Sequence, residues 1–283
     1  PYNTLASDVI GFTSDGNVGN NGIEGYYNST LNGSDGRRYG YLDSDSTVER
    51  TVKEPTNGDT VVSTIDLQVQ SIVEKHILAF NEEHKNYAYD GEGSKNTAVI
   101  VMNPQNGEII AEASYPNYDL NNPRDLSNVY SQSEIDAMND EETVDALNGM
   151  WSNFCVTDAY EPGSVVKPIV MGSALEMGAI SESDNFVCDG GQSFGAEGAT
   201  TFIKCAVWPD AHGTEALSDV IANSCNDGMM QIAAKMGKDN FLKTQSVFNF
   251  GTRTGIDLPN EGSGVIHTSD TMGETELSDR DIH

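Results

Sequence analysis

A serine and a lysine, spaced three residues apart, have the types and positions that covalent chemistry needs. Ser164 follows a Pro162-Gly163 turn, and Lys167 lies just inside the helix predicted after it. Residues at i and i+3 share one helix face, and the free N–H groups at a helix N-terminus favour negative charge. A lysine with a lowered pKa can take the proton of a serine hydroxyl. Ser164 is therefore a candidate nucleophile with Lys167 as its base; a helix-capping serine with an incidental lysine is the alternative.

A second candidate pair lies about sixty residues further on, in the segment Ala222–Asp227. Ser224 and Asn226 fall at the junction of two predicted helices, where a short loop can present both side chains to one cleft. The Ser224 hydroxyl would relay a proton, and the Asn226 amide would hold Lys167 or a substrate carbonyl. By itself, such a cluster is also typical of a plain helix junction.

Composition limits the classes of function. The chain has 283 residues and a formal charge of −29, so its surface repels phosphate backbones and we expect no nucleic-acid partner. No apolar run is long enough for a membrane span, and the first residues lack a signal-peptide pattern. Four cysteines are too few for a disulfide scaffold and lack paired C-x-x-C spacing, so no metal site and no cofactor are predicted.

The N-terminal half of the sequence predicts a polar start and then a sheet. A helix is expected around residues 23–31, a strand at 59–65, and then a helix that turns an apolar stripe inward. That stripe comprises Val69, Ile72, Val73, His76, Ile77 and Phe80, with Glu74 on the outer face. A hairpin follows at 97–102 and 108–113, and its first strand should be buried on both faces.

The second half of the sequence is predicted to be mainly helical. Helices are expected at 165–177, 216–222, 229–236 and 240–248, with a loop-rich segment at 189–213. A sheet beside a helical subdomain makes the fold class α+β.

Ser-x-x-Lys at a helix start and Ser-x-Asn in a later loop match two signatures of penicillin-binding transpeptidases and serine β-lactamases. Longer strings extend the match, and the sequence resembles class B penicillin-binding proteins over nearly its whole length. The strings are LASDVIGF (5–12), GIEGYYNSTLNGSDG (22–36), STIDLQVQ (63–70), NPQNGEIIAEASYPNYDLNNP (103–123), YEPGSVVKP (160–168), HGTEALSDVIANSCN (212–226) and GTRTGIDLPNEGSG (251–264).

The resemblance implies part of a penicillin-binding/serine β-lactamase-like transpeptidase fold, with residues 1–57 as the remnant of an N-terminal pedestal and 58–283 as the transpeptidase domain. It implies a peptidoglycan D,D-transpeptidase. Ser164 would attack a stem peptide ending in D-Ala-D-Ala, and Lys167 would be the base. Ser224 would pass the proton to the leaving amine, and Asn226 would orient the substrate. β-Lactams would acylate the same serine.

The resemblance also implies where the protein works and with what. We expect an extracytoplasmic location at the bacterial cell membrane or surface, with a membrane anchor outside this chain. The implied partners are peptidoglycan stem peptides and β-lactams, and a SEDS-family glycan polymerase is a further candidate.

The family's third signature, Lys-(Ser/Thr)-Gly on an edge strand, is not found. Arg253-Thr254-Gly255 is a possible substitute, but it begins the separate TGIDLP string. We therefore expect the 283-residue chain to be catalytically weak or inactive, with unpaired sheet edges.

Two pairings of the cysteines are open in an extracytoplasmic protein. Cys188 and Cys205 flank one glycine-rich loop and form the simplest pair. A Cys205–Cys225 bond would enter the Ser-x-Asn string and could gate activity, and free thiols, Cys155 included, are the third possibility.

Two other functions compete with the transpeptidase reading. A serine β-lactamase needs a glutamate that activates water, but the nearest string to Glu-x-x-Leu-Asn, at Val144–Asn148, has valine in its place. A non-catalytic β-lactam sensor or scaffold would bind without turnover, although the presence of all four site residues argues against it.

Overall fold

The computed structural model describes residues 2–42, 48–88, 91, 93–194 and 201–269. The chain divides into two compact units. Unit 1 comprises Pro1–Asp158 and Thr254–Gly262, and unit 2 comprises Ala159–Arg253 and Ser263–His283. In the described parts of both units, the sheets are two-stranded antiparallel pairs beside helices.

The described residues of unit 1 form helices α1 to α7 and strands β1 to β6. In chain order these are α1 Ser7–Ile10, β1 Phe12–Ser14, β2 Val18–Asn20, α2 Gly22–Tyr26, α3 Asn28–Leu31, β3 Arg37–Leu42, β4 Val48–Lys53, α4 Leu67–Glu83, β5 Thr97–Met102, β6 Ile109–Tyr115, α5 Gln132–Ala137, α6 Asp140–Met150 and α7 Phe154–Thr157. The pairs are β1–β2, β3–β4 and β5–β6. One apolar core lies around Phe12, Tyr118 and Leu147.

Helix α4 is present as the sequence predicts, and the Asp66 carboxylate caps its first N–H groups, those of Gln68 and Val69. The predicted inward face is only partly correct: Ile77 is buried and Val69 and Val73 are half-buried. The buried residues are Gln70, Glu74, Ile77 and Asn81, whereas His76, Ile72 and Phe80 are exposed. The Gln70 amide bridges Glu74 and the backbone of Glu112 on β6, so a polar network takes the place of the expected apolar stripe.

Three other expectations for unit 1 are corrected. Residues 59–65 form no strand, although Thr64 Oγ1 donates to the Ile109 carbonyl at 2.6 Å. The hairpin is present, but β5 alternates between half-buried and exposed residues, and β6 is the more buried strand. The predicted helix at 23–31 is divided at Tyr27 into α2 and α3.

Unit 2 holds the remaining elements. After a 3₁₀ turn at Gly163–Val166 come α8 Lys167–Glu176, β7 Asn185–Cys188, β8 Gly191–Phe194, β9 Thr201–Lys204, β10 Gly213–Ala216, α9 Leu217–Ala222, α10 Asn226–Met236 and α11 Lys238–Val247. The four helices agree with the sequence prediction. The segment predicted to be loop-rich instead contains the pair β8–β9 and the start of β10, which pairs with β7.

The core of unit 2 is built where α8 packs on α10. Ala174 of α8, Val220 of α9 and Ile232 of α10 are completely buried in this cluster, which also includes Phe186 and Phe241. This packing fixes the start of α8 beside the junction between α9 and α10. Among the residues that the structure describes, no helix has the length and apolar character that crossing a bilayer requires.

Candidate active site

A tight turn sets the positions of Ser164 and Lys167. The backbone N–H of Lys167 donates to the Ser164 carbonyl, which closes the 3₁₀ turn as α8 begins. Side chains at i and i+3 eclipse one another in 3₁₀ geometry, so the two residues share one side of the turn. Ser164 is exposed, whereas Lys167 is only 4% exposed.

The loop between α9 and α10 carries the other two predicted residues. Ser224 adopts φ = +49°, a conformation that non-glycine residues seldom take. The N–H of Cys225 returns to the Val220 carbonyl at 2.9 Å, and α10 starts at Asn226. The side chains of Ser224 and Asn226 both reach Lys167 at the start of α8.

The Lys167 ammonium joins these pieces. Its Nζ donates to Ser224 O at 2.8 Å, Ser224 Oγ at 3.2 Å and Asn226 Oδ1 at 2.5 Å. Among the described residues its hydrogen bonds go to this loop, and none goes to the Ser164 hydroxyl. Burial lowers the pKa of Lys167, although the thiols of Cys205 and Cys225 oppose the shift. A buried lysine with a lowered pKa can exchange protons with a neighbouring hydroxyl.

Asp227 was not singled out from the sequence, yet it secures the loop. Its carboxylate is 1% exposed and accepts from the Asp189 N–H at 3.0 Å, Gln192 Nε2 at 2.7 Å and Gln231 Nε2 at 2.8 Å. Burial would raise the pKa of Asp227, but these hydrogen bonds outweigh it and the net shift is downward. The only signal in the sequence is an acidic residue in the first turn of a helix, which is common.

The substitute for the third signature does not form a strand. Residues 253–256 are irregular. Within unit 1, the Glu261 carboxylate accepts from Thr254 N at 2.5 Å and from Gly255 N at 3.0 Å. This closed loop agrees with placing Arg253-Thr254-Gly255 in the TGIDLP string and not on a catalytic strand.

The cysteines are free thiols. Cys155 lies in unit 1, whereas the other three lie together in unit 2. Cys205 Sγ is 3.7 Å from Cys225 Sγ, far beyond a disulfide bond of about 2.05 Å. Neither predicted pairing is formed. Cys188 and the imidazole of His212 complete the group, and its four donor atoms lie within 4.8 Å of one another. Sequence spacing alone had set a metal aside, and these positions reopen the question.

Comparison with known families agrees with this arrangement. The sequence model of the family described as "Penicillin binding protein transpeptidase domain" matches residues 97–279. The family model described as "Penicillin-binding Protein dimerisation domain" matches residues 2–63. The chain belongs to the class B penicillin-binding proteins. The resemblance drawn from the motif strings is thereby confirmed, and so is the transpeptidase fold.

Curated relatives of this class B chain include proteins of sporulation and of peptidoglycan synthesis. Stage V sporulation protein D of Bacillus subtilis (strain 168) is 31% identical over 283 residues, covering 98% of this chain and 38% of that protein. Peptidoglycan D,D-transpeptidase MrdA of Escherichia coli (strain K12) is 29% identical over 292 residues, covering 95% and 42%. The chain thus spans less than half the length of these relatives.

Solved structures give the same fold. A peptidoglycan synthetase from Bifidobacterium adolescentis has a TM-score of 0.71 and 26% identity, covering 99% of this chain and 45% of that one. Penicillin Binding Protein 2X from Streptococcus thermophilus also has a TM-score of 0.71, at 21% identity, covering 95% and 37%. The second likeness is evidence for the fold alone.

Proposed function

We propose that the protein is a peptidoglycan D,D-transpeptidase that works through a serine acyl-enzyme. The observation that carries the proposal is the buried Lys167 Nζ, hydrogen-bonded to Ser224 and Asn226 one 3₁₀ turn after Ser164. The relatives named peptidoglycan D,D-transpeptidase support the same activity.

In this proposal each of the four residues has one role. Ser164 Oγ attacks the carbonyl of the penultimate D-Ala, its proton passes to neutral Lys167, and the last D-Ala leaves. Ser224, 3.2 Å from the Lys167 nitrogen, returns the proton to the leaving amine. Asn226 holds the lysine and faces the substrate amide. The amine of a neighbouring stem peptide then takes the acyl group, and Ser164 is regenerated.

Partners and placement follow from this chemistry. We propose peptidoglycan stem peptides and β-lactams as the ligands, and a position outside the cytoplasmic membrane at the cell surface. A membrane anchor outside this chain and a SEDS-family polymerase stay predictions. We keep residues 1–57 as the pedestal and 58–283 as the transpeptidase domain; the two family matches support the order of these parts.

The test is acylation by a fluorescent penicillin, followed by transfer to an acceptor amine. It should be run on the 283-residue chain and on the longest reading frame that contains it. Ser164→Ala should abolish labelling, whereas Ser173→Ala on the same helix α8 should leave it unchanged. Labelling that survives Ser164→Ala refutes the assignment of the nucleophile. Stoichiometric labelling without transfer in the longer protein would favour a sensor instead.

A further inference from the structure

Two strand pairings, β7–β10 and β8–β9, bring three metal-ligand side chains to one point in unit 2. Cys188 ends β7 opposite Gly213 of β10, which places His212 next to it. The N–H of Cys205, just after β9, donates to the Gly190 carbonyl at 2.9 Å.

The fourth ligand arrives from a helix. Asn226 Nδ2 donates to the Lys204 carbonyl at 3.1 Å, and this contact draws Cys225 toward Cys205. Cys188, Cys205 and Cys225 are each at most 2% exposed, and the His212 side chain is 15% exposed. The group is therefore assembled by the fold and is nearly closed to solvent.

The distances fit a tetrahedral ion. Zinc binds sulfur at about 2.3 Å and imidazole nitrogen at about 2.0 Å. A regular tetrahedron with those radii has S···S edges of about 3.8 Å and S···N edges of about 3.5 Å. Cys205 Sγ lies 3.7 Å from Cys225 Sγ and 3.7 Å from His212 Nδ1. All four donor atoms lie within 4.8 Å of one another, so small side-chain movements complete the coordination.

The surroundings of the four ligands suit a cation and its thiolates. The Gly228 N–H donates to Cys225 Sγ at 3.2 Å, and backbone N–H groups of Asn226 and Asp227 point at the Cys205 sulfur. Such N–H···S bonds hold ligating sulfurs in place. Glu215 is 2% exposed, and its Oε2 has no hydrogen-bond partner among the described residues. A buried carboxyl oxygen without a partner, beside three thiols, is stabilised by positive charge nearby.

We propose that Cys188, Cys205, His212 and Cys225 bind one divalent transition-metal ion of the zinc class, tetrahedrally and with no open position. Four protein ligands define a structural site. Its effect is to tie β7, the strands around Cys205 and the α9–α10 loop together. Cys225 is the middle residue of Ser224-Cys225-Asn226, so the ion holds the loop that binds Lys167. This positioning role rests on the proposed transpeptidase activity, whereas metal binding does not.

The binding test uses zinc and cobalt with the whole chain. Protein purified in reductant without chelators should contain about one zinc per chain by elemental analysis. Replacement by Co²⁺ should give the thiolate-to-cobalt charge-transfer band and the visible bands of a tetrahedral site. Cys188→Ser should weaken zinc binding by more than about 100-fold, because loss of even an outer-shell partner costs about 10–100-fold. Cys155→Ser, in unit 1, is the matched control and should bind normally.

Several results would overturn the site. In the first, all thiols of the folded, reduced protein are freely alkylated in the presence of zinc. In the second, zinc-supplied protein contains a Cys205–Cys225 or Cys188–Cys205 disulfide. In the third, Cys188→Ser retains the metal. If Cys188→Ser does not fold, the cobalt spectrum of the wild type decides, since an octahedral spectrum without the thiolate band excludes the site.

The positioning role has its own readout. Removing zinc should slow acylation by a fluorescent penicillin about 100-fold, the loss expected when a catalytic group moves by about 1 Å. Re-addition of zinc should restore the rate in Cys155→Ser but not in Cys188→Ser. Equal rates with and without bound zinc would refute positioning while leaving the metal site. If the zinc-loaded longest reading frame that contains this chain is never acylated, the proposed function is refuted instead.

Discussion

The carboxyl group of Asp8 provides a quantitative test of the electrostatics inside unit 1. Asp8 is 5% exposed and accepts a hydrogen bond from the Ser114 hydroxyl, while its Oδ1 has no hydrogen-bond partner among the described residues. Burial raises the pKa of Asp8 from 3.8 to about 7. The Ser114 bond opposes the rise, and the charges of Glu112 and Glu74 add to it.

The sign of the effect follows from proton linkage. In the unfolded chain Asp8 releases its proton near its ordinary pKa of 3.8, but the folded protein holds the proton up to about pH 7. Between these values the folded state binds more protons, so the free energy of unfolding falls as the pH rises and levels off above about 7. The full span is about 4 kcal/mol, of which about 3 kcal/mol falls between about pH 4.5 and about pH 8.

Asp8→Asn removes this titration and keeps an oxygen that can accept from Ser114. Asp15→Asn, in the exposed turn between β1 and β2, removes the same charge as a matched control. The two tryptophans lie in different units, so Trp208→Phe leaves Trp151 to report on unit 1. Trp151 lines the same cavity as Asp8. Urea unfolding monitored by its fluorescence gives the free energy at each pH.

We subtract the unfolding free energy of the parent from that of Asp8→Asn at each pH. This difference should increase by about 3 kcal/mol from about pH 4.5 to about pH 8. A smaller slope should persist, because burial also raises the pKa of Glu112 against its Asn153 hydrogen bond. If Asp8→Asn and Asp15→Asn show the same pH dependence, Asp8 is ionised in the folded protein and the reasoning fails.

Three further predictions concern unit 2. The rate of penicillin acylation should rise with pH as Lys167 loses its proton, at a pKa below the ordinary 10.5 because the amine is buried. Lys167→Arg should abolish that rise and slow acylation by about 10²–10⁴-fold, since arginine stays protonated; an unchanged pH profile would contradict the role as base. The free energy of unfolding of Ser224→Gly should exceed that of Ser224→Ala by about 1 kcal/mol, because glycine takes a positive φ without strain. Both variants should slow acylation equally, and equal stability would show that φ at 224 carries no strain. Gly228→Ala should lower the unfolding free energy by about 1–3 kcal/mol, because its Cβ would lie 2.9 Å from both Val220 methyls; Gly172→Ala, with open space, is the control, and equal losses would contradict the packing.

The candidate active site was predictable because its information is local. Ser164 and Lys167 are three residues apart, and the Pro162-Gly163 turn marks where the helix begins. Ser224 and Asn226 are likewise placed by the break between α9 and α10. The fold then needs only the packing of α8 on α10 to bring Lys167 to this loop, and the apolar character of both helices favours that packing.

Helix α4 shows where local reasoning fails. Its existence and start are encoded by Asp66 and the helix-forming residues after it. Its inward face depends on partners far along the chain. Glu74 accepts from the Ala6 N–H at 2.7 Å, and Gln70 bonds the backbone of Glu112. Polar side chains are buried when the fold supplies hydrogen bonds for them, and no periodicity in the helix itself carries that information.

The group of Cys188, Cys205, His212 and Cys225 was missed for the same reason, because its members are brought together by contacts between distant parts of the chain. Spacing rules for zinc detect ligands on one knuckle, whereas here Cys188, Cys205 and His212 are aligned by the β7–β10 and β8–β9 registers. Cys225 differs, because its two neighbours turn toward Lys167 while its sulfur turns toward Cys205. One tripeptide therefore faces Lys167 on one side and the proposed metal ligands on the other. Any ion that fixes the sulfur also limits how far the Ser224 hydroxyl can move from the Lys167 amine, so structure and chemistry at this loop are coupled through a single residue.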